Sequence, residues 1–238
     1  MPHSPDPAVL HGMPLFKALE REALADVVRH AQTRLIPKGT RIFSQGDEAL
    51  AGHALIDGQV KIVQTGPDGQ QVVLHFLGAG EMFGTLAMFM GGKYPAEALA
   101  VTDCVEIHWS VPTMMALMER HPRIALNALS ILGRRFGEVQ KRLREISTER
   151  VERRIAHALL RLVRQAGRRV ETGVEIDFPL SRQDLAEMTG TTLHTVSRTL
   201  SAWEGQGIVA STRQHVVITE PHRLVAIAED LPAPKQKD

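Results

Sequence analysis

Eleven of the chain's 19 glycines lie between residues 39 and 92, and no other feature of the sequence limits the fold so strongly. They separate short β-type runs such as ALIDGQVKIVQ at 54–64 and QQVVLHFL at 70–77, which GPDG at 66–69 joins as a hairpin turn. Strands spaced about 8–12 residues apart are typical of a sandwich or small barrel. We therefore predict a β-roll over about residues 15–110, with a short N-terminal helix over 15–28 packed on it.

The hydrophobic period changes after Pro112. Apolar residues then recur alternately three and four positions apart, which is the spacing of a coiled-coil stripe. They are Leu129, Leu132, Phe136, Val139, Leu143 and Ile146. Charged residues occupy the other faces, so we predict a long helix over 123–148 that pairs with the same helix of a second copy. The alternative is a helix that packs against its own β-roll.

Two short helices joined by a glycine turn are predicted in the C-terminal third. Ser181 and Asp184 have the spacing of a capping box, and Gly190 ends the first helix. The second helix, over about 193–204, is amphipathic, and its apolar face carries Leu193, Val196, Leu200 and Trp203. Two β-type runs at 208–210 and 215–218 follow as a two-stranded wing. This pattern is typical of a winged helix-turn-helix.

The second helix of such a motif places its first residues against base edges in the major groove. Arg198 is the candidate for guanine, because a guanidinium can donate to both O6 and N7. The alternative for Arg198 is a solvated surface charge. Three further side chains on the same face are candidate base contacts: His194, Ser197 and Ser201. Side chains suited to phosphate oxygens are Thr191, Thr192, Thr195 and Arg182.

The fold class that follows is α+β with three parts. They are a sensor β-roll with its N-terminal helix at 1–121, a dimerisation helix at 122–148 and a winged helix-turn-helix DNA-binding domain at 149–238. Charge agrees with this division: residues 1–120 hold 9 Lys and Arg against 13 Asp and Glu, whereas the rest hold 19 against 14. A basic half suits a polyanion such as DNA, although chance scatter is the alternative.

Composition narrows the class of protein. One cysteine in 238 residues excludes a disulfide framework, a multi-cysteine zinc site and a four-thiolate iron–sulfur cluster. The sequence lacks the pattern of a signal peptide and any apolar run of about 18 residues, so we expect a soluble, cytoplasmic protein without membrane contact. It also lacks a P-loop, a nucleophile elbow and an HExxH motif, and we therefore expect no enzyme.

The segment SRQDLAEMTGTTLHTVSRTLSAWEGQGIV at 181–209 resembles the helix-turn-helix of the Crp/Fnr superfamily of bacterial transcription regulators. The resemblance extends in matching order over about residues 15–220 and includes four upstream motifs: KG at 38–39, QGDE at 45–48, GQVK at 58–61 and GEMFG at 80–84. It implies a cyclic-nucleotide-binding-type β-roll (jelly roll), a long dimerisation helix and a winged helix-turn-helix. It also implies a homodimer that binds double-stranded DNA at a palindromic operator, contacts RNA polymerase and acts as an activator.

The departures from the family pattern concern the signal. In relatives that bind cyclic AMP, the loop after GEMFG supplies a glutamate for the ribose and an arginine–serine pair for the phosphate, whereas this chain has Thr85, Pro95 and Ala96. Val139 and Gln140 stand where adenine-contacting hydroxyls are expected. A buried phosphate without its arginine would be an unpaired charge, so cyclic AMP is not expected. The cysteine-free N-terminus likewise excludes an iron–sulfur sensor of the Fnr type.

The base-reading motif also departs from the family. Its usual Glu-x-x-Ser-Arg is HTVSR at 194–198 here, and a histidine cannot accept from cytosine N4 as a carboxylate does. This motif, together with MFM at 88–90, is similar to the nitric-oxide-responsive NnrR and Dnr branch. That similarity implies nitric oxide as the signal, denitrification genes as targets and an inverted repeat of TTG half-sites.

Nitric oxide is best detected through a metal, and haem iron is the usual choice. The candidate axial ligands are His11, His53 and His75; the plainer interpretations are a surface residue, a strand-end polar group and a hydrogen-bonded core histidine. Cys104 is expected to be a small strand residue rather than a thiolate ligand or redox switch. A small organic ligand or a redox signal in the β-roll stays open, as does, more remotely, a cyclic-nucleotide-binding regulatory module.

Overall fold

The computed structural model describes residues 10–88 and 92–232. The chain divides into two compact units, one up to Val139, here called the β-roll unit, and one from Gln140, here called the C-terminal unit. The bounds predicted for the three domains, 1–121, 122–148 and 149–238, stay predictions. Phe89 and Met90 of the MFM motif at 88–90 lie outside the described residues. None of the helices within the described ranges combines the length and hydropathy that a membrane crossing requires.

Two four-stranded antiparallel sheets form the predicted β-roll, which is thereby confirmed. One sheet has the order β1 (Gln32–Ile36), β8 (Cys104–Ser110), β3 (Ala51–Asp57) and β6 (Met82–Phe83). The other has the order β2 (Arg41–Phe43), β7 (Glu97–Ala100), β4 (Val60–Thr65) and β5 (Gln71–Leu77). The predicted hairpin joins β4 to β5, and its turn is closed by the amide of Gly66, which donates to the Gln70 carbonyl at 2.8 Å.

A glycine is required where β3 turns into β4. Gly58 has φ +91°, and a Cβ there would collide with the backbone carbonyl oxygen of Asp103. The turn therefore needs both the left-handed backbone and the missing side chain. One of the glycines that marked the β-rich region thus fixes the connection between two sheet strands.

The N-terminal helix is shorter than the sequence pattern suggested. Pro14–Phe16 form a single 3₁₀ turn, Ala18 has φ +59°, and the α-helix α1 spans Arg21–Arg29. The left-handed Ala18 interrupts the helical period, so the prediction of one helix over 15–28 was wrong at its start. The segment still packs on the roll, because Phe16 contacts the buried Trp109 with ring centroids 5.4 Å apart.

Two helices follow the β-roll. Helix α2 spans Val111–Arg120. Ser110 caps its start, and the Ser110 hydroxyl accepts from the Thr113 amide. Helix α3 spans Pro122–Thr148, close to the predicted 123–148. It crosses the division at Val139 and so belongs in part to each unit.

The C-terminal unit is built from four further helices and a sheet. The helices are α4 (Val151–Ala166), α5 (Arg182–Thr189), α6 (Leu193–Gly205) and α7 (Pro221–Ala228). The sheet has the order β11 (Val209–Ser211), β12 (Val216–Ile218), β10 (Gly173–Ile176) and β9 (Gly167–Val170). The predicted wing was therefore only half of a four-stranded sheet. The missed strands are four residues each, and their short runs carried too little periodicity to identify them.

Candidate functional site

The α5–turn–α6 motif forms for local reasons that the sequence carries. Ser181 caps α5 by accepting from the Asp184 amide, and the Asp184 carboxylate accepts in return from the Ser181 amide, so the predicted capping box is present. Gly190 ends α5 in the left-handed conformation with φ 61°. Thr192 then caps α6 by accepting from the Thr195 amide at 3.2 Å. These caps fix where the second helix starts and which way it faces.

One face of α6 is buried and the other is open. Val196, Leu200 and Trp203 are at most 4% exposed and pack into the C-terminal unit. On the opposite side, the predicted base contacts His194, Arg198 and Ser201 are exposed, and Ser197 is half-buried at the border. This geometry presents a row of hydrogen-bonding side chains along the front of the helix.

Leu193 departs from the predicted pattern. It was placed with Val196, Leu200 and Trp203 on the packing face, but its side chain is 47% exposed. The helix begins at this residue, so no preceding turn covers it. An apolar side chain therefore lies among the polar groups at the start of α6.

The predicted phosphate contacts fall into two groups. The first group lies around the start of α6: Thr191 and the exposed Thr192 precede the helix, and Thr195 lies in its first turn. Arg182 lies at the start of α5, where one guanidinium nitrogen is 3.2 Å from the Ser211 hydroxyl and 3.5 Å from a carboxylate oxygen of Glu204. Arg182 therefore ties α5 to α6 and the wing, and only part of its hydrogen-bonding capacity remains for a phosphate.

The end of α3 is fastened to the helix-turn-helix inside the C-terminal unit. Arg154 of α4 donates to the Ile146 carbonyl at 3.0 Å and to the Gly190 carbonyl at 3.4 Å. Arg161 donates to the almost fully buried Glu145 carboxylate at 2.8 Å. The sequence pattern did not reveal these contacts, because each arginine could equally have been a solvated helix charge. They connect the last turns of α3 rigidly to the turn before α6.

The apolar stripe of α3 is exposed along its whole length. Its members are between 40% and 65% exposed: Leu129, Leu132, Phe136, Val139, Leu143 and Ile146. Leu126, one turn upstream, extends the stripe and is 56% exposed. A row of large apolar side chains of this length is unfavourable in water and is typical of a surface that another chain covers.

The residues expected to replace the cyclic-nucleotide contacts lie between β6 and β7. Thr85 begins the single turn Thr85–Met88 after β6, and Pro95 and Ala96 directly precede β7. None of the three carries a charge that would pair with a phosphate. Nearby, Arg135 of α3 forms an ion pair with Glu81 at 3.4 Å, so this arginine already has a carboxylate partner.

His53 belongs to a buried hydrogen-bonded network. Its Nδ1 lies 3.0 Å from Oε1 of Glu106, and its Nε2 lies 3.1 Å from the hydroxyl of Tyr94, which donates to the Ala51 carbonyl at 2.9 Å. Glu106 is fully buried, and Arg34 donates to both of its oxygens at 3.2 Å. Burial alone would raise the pKa of Glu106, but the interactions with His53 and Arg34 outweigh it and hold that pKa below its ordinary range.

Burial also shifts the pKa values of two other groups in this network. His108 Nδ1 lies 3.3 Å from Oε1 of Glu106, and burial lowers the pKa of His108 more than the neighbouring carboxylate raises it. Burial likewise raises the pKa of the Tyr94 hydroxyl. Sequence reasoning missed this network, because the hydrogen bonds that His53 makes to Glu106 and Tyr94, and that Arg34 makes to Glu106, join residues 41 to 72 positions apart in the chain. The available signal was that His53 in β3 and Glu106 in β8 are polar residues at inward-facing strand positions.

The three candidate haem ligands are not brought together. His11 is exposed before the first helical turn, His53 has both ring nitrogens engaged, and His75 is half-buried on β5. His53 does not fit an axial ligand, because binding iron would break a bond to Glu106 or Tyr94. Two surface depressions of about 280 and 330 Å³ are lined by none of these histidines. Over residues 10–88 and 92–232, no three His, Cys, Asp or Glu side chains converge as metal ligands.

Cys104 is a buried residue of β8. Its thiol lies 3.4 Å from the Gln59 carbonyl and 3.3 Å from the Thr102 carbonyl. Burial raises the pKa of this thiol above its ordinary value. Both the packing and the pKa disfavour the thiolate, which is the reactive form of cysteine.

Comparison with known proteins agrees with the fold. Residues 33–121 match the model of the family described as "Cyclic nucleotide-binding domain". Residues 153–227 match the model described as "Crp-like helix-turn-helix domain". The chain is 34% identical over 219 residues to the cyclic AMP receptor protein of Thermus thermophilus, with 92% of this chain and 98% of that protein covered. It is 25% identical over 207 residues to the global nitrogen regulator of Synechocystis, with 83% and 92% covered.

A solved structure shows the same fold. The c-di-GMP-responsive global regulator CLP of Xanthomonas campestris gives a TM-score of 0.74 at 22% identity and covers 84% of this chain and 99% of that chain. In this chain the strands of the β-roll lie within or beside the first matched region, and the α5–turn–α6 motif lies within the second. The chain therefore belongs to the Crp/Fnr family of DNA-binding transcription regulators.

Proposed function

We propose that this protein is a homodimer that activates transcription from palindromic operators built of TTG-type half-sites. The observation that carries this proposal is the front of α6, where His194, Arg198 and Ser201 are exposed beside a capped helix start. Such a surface suits the major groove, and the guanidinium of Arg198 suits the guanine of the half-site. Activation would also require a contact with RNA polymerase.

The exposed stripe of α3 supports the homodimer. A second copy of α3 supplies the matching apolar surface, and two-fold symmetry would place two recognition helices about 34 Å apart on one DNA face. Because Arg154 and Arg161 fasten the end of α3 to the helix-turn-helix, a shift of one α3 against the other would move α6 with it. A signal in the β-roll would act on DNA through this continuous helix.

The test of the homodimer combines sedimentation with operator binding. Operators are first selected from random duplex DNA by the full-length protein, and dissociation constants are then measured by fluorescence anisotropy. Phe136→Asp places a charge in the stripe and is expected to give a monomer with at least about 100-fold weaker palindrome binding, because the two half-sites are no longer linked. Lys141→Asp, an exposed change off the stripe, is the control. A Phe136→Asp variant that stays dimeric would contradict the proposal.

For the signal, our proposal is nitric oxide or another nitrogen oxide, with denitrification genes as targets. It is supported by the HTVSR motif of α6 and by Thr85, Pro95 and Ala96 at the positions of the cyclic-nucleotide contacts. If haem carries the signal, His11 and His75 stay candidate ligands, whereas iron at His53 would break its bond to Glu106 or Tyr94. The second candidate is a small organic ligand, favoured by the match of residues 33–121 to the cyclic nucleotide-binding domain.

One experiment separates these signals. The protein is purified without oxygen, offered haem, and followed by its Soret band and by operator binding with and without nitric oxide. Stoichiometric haem binding that His75→Ala or His11→Ala abolishes, together with a nitric-oxide-dependent change in operator affinity, would support the first candidate. Tighter operator binding with cyclic AMP and no response to nitric oxide would replace it with the second. Operator binding without any signal would leave the DNA-binding proposal intact.

A further inference from the structure

We propose that His53 is a buried imidazolium and that its proton acts as a pH-sensitive switch on the loop at 92–96 of the β-roll unit. The inference goes beyond the proposed function, because it requires neither nitric oxide nor DNA. Three hydrogen bonds carry it. They form a chain that runs from the Glu106 carboxylate through the His53 ring and the Tyr94 hydroxyl to the Ala51 carbonyl.

The first argument is a count of the protons in this chain. Glu106 is ionised, since its pKa is lowered, and a carboxylate only accepts, so His53 donates to it from Nδ1 at 3.0 Å. The Tyr94 hydroxyl has one proton, which it donates to the Ala51 carbonyl. His53 Nε2, 3.1 Å from that hydroxyl, therefore donates as well. An imidazole that donates from both nitrogens carries a positive charge.

Neither neutral form of His53 keeps all three bonds. With its proton on Nδ1, the ring can only accept at Nε2, so the Tyr94 hydroxyl would have to leave the Ala51 carbonyl. With its proton on Nε2, the Nδ1 lone pair would face the Glu106 carboxylate, and two acceptors repel each other. Loss of the proton therefore breaks the chain at one point, where a buried polar group is left without its partner.

The charges that face His53 from the neighbouring strands favour the cation. Fully buried Glu106 on β8 supplies the opposite charge, whereas Arg34 on β1 reaches the same carboxylate with a side chain that is 46% exposed. His108 on β8 has its ring centroid 6.1 Å from that of His53, and burial lowers the pKa of His108, so it adds no second buried cation near neutral pH. Two further rings packed against His53 are uncharged: Phe43 of β2 and Phe83 of β6.

The proton acts on the loop because Tyr94 anchors it. The Tyr94 ring stacks on Phe43 with centroids 3.7 Å apart. Its amide donates to the Asp47 carbonyl at 2.9 Å, and its carbonyl accepts from the Gly46 amide at 2.8 Å. The hydroxyl is the part of this anchor that joins the buried network. The charge state of His53 therefore sets how firmly the loop before β7 is held.

The test measures amide hydrogen exchange in the full-length protein at about pH 6.5 and about pH 9. Over this range Glu106 stays ionised, and His108 and Tyr94 stay neutral, because the first two have lowered pKa values and the third a raised one. Protection factors of the Gly46 and Tyr94 amides are expected to fall about five-fold at the higher pH, the fold-change that one hydrogen bond of about 1 kcal/mol corresponds to. Nitrogen NMR of the His53 ring should show two N–H groups at the lower pH.

Three variants complete the experiment. His53→Gln replaces the ring with an amide that does not titrate, and it should abolish the pH dependence of protection. Tyr94→Phe removes the hydroxyl and should lower protection at both pH values. His30→Gln changes an exposed histidine directly after α1 in the same unit, and it should leave the pH dependence unchanged.

Three results would overturn the proposal. A His53 ring with a single N–H at the lower pH would contradict the proton count. Equal protection at both pH values would show that the proton does not hold the loop, and a pH dependence that persists in His53→Gln would assign it to another group. If thermal unfolding shows that His53→Gln does not fold, the ring spectrum and exchange of the wild-type protein still decide. Operator binding is tested separately, so the proposed function can fail without this inference.

Discussion

The buried network of the β-roll unit and the helix caps of the α5–turn–α6 motif satisfy their polar groups over very different distances along the chain. In the β-roll unit, fully buried Glu106 is bonded to Arg34 and His53, more than 50 residues away. In the C-terminal unit, the Ser181 and Thr192 caps bond residues three positions on. The first pattern holds strands together, whereas the second sets helix starts and leaves the front of α6 free. The buried polar side chains of the β-roll unit therefore serve the fold, whereas the caps leave the polar side chains on the front of α6 exposed for the proposed DNA contacts.

The largest expected effect on stability comes from breaking the buried network. Glu106→Gln removes the negative charge between Arg34 and His53 and should lower the free energy of unfolding of the β-roll unit by about 3 kcal/mol. Urea denaturation measures this, with fluorescence of Trp109 as the probe in a Trp203→Phe background. A change below about 0.5 kcal/mol would show that the network is not structural.

Arg198→Ala is expected to change DNA binding and not stability. It should weaken operator binding by about 1–3 kcal/mol and relax the preference for guanine at one position, with the free energy of unfolding unchanged. Anisotropy titrations with operators that vary at that base pair provide the measurement. Arg123→Ala, which removes an exposed arginine at the start of α3, is the charge-matched control. Equal losses in the two variants would reduce the role of Arg198 to general electrostatics.

Removal of the α5 cap is expected to have a smaller effect. Ser181→Ala deletes the oxygen that accepts from the Asp184 amide and should cost the C-terminal unit about 1 kcal/mol. Trp203 fluorescence in urea, in a Trp109→Phe background, reports that unit, and Ser181→Thr should retain most of the lost stability. A matching loss in the β-roll unit would contradict the local nature of these caps.

The smallest expected effect is the pH dependence contributed by His108. Because its folded-state pKa lies below the ordinary 6.5, the unfolded chain binds more protons in the window below 6.5. Stability from this group is therefore complete above pH 6.5 and falls as the pH drops through that window. His108→Gln should flatten the dependence of the urea midpoint between pH 7.5 and 5.5. The Glu106 carboxyl, with an ordinary pKa of 4.5 that is lowered, titrates below this window.

The same contrast explains how far the sequence could be read. The capping box, the left-handed Gly190 and the α3 stripe depend on neighbours within one or two turns, so their spacing predicted them. The β-roll was predicted from glycine spacing. The His53–Glu106–Tyr94 network and the contacts of Arg154 depend on residues that only the fold brings together, whereas strands β9 and β10 were missed because four residues are too few to show a period. The exposure of Leu193 was missed for a related reason, because periodicity gives a face but not the edge of the core.

The burial of Cys104 has a practical consequence for experiments on the proposed movement of α3 and α6. The chain's single cysteine, in strand β8, is 3% exposed, and the raised pKa of its thiol keeps it protonated. Alkylating probes should therefore leave the wild-type protein unlabelled. A cysteine introduced on the stripe of α3 or on the front of α6 would be the sole reactive handle for cross-linkers, spin labels or fluorophores, with every native residue elsewhere retained.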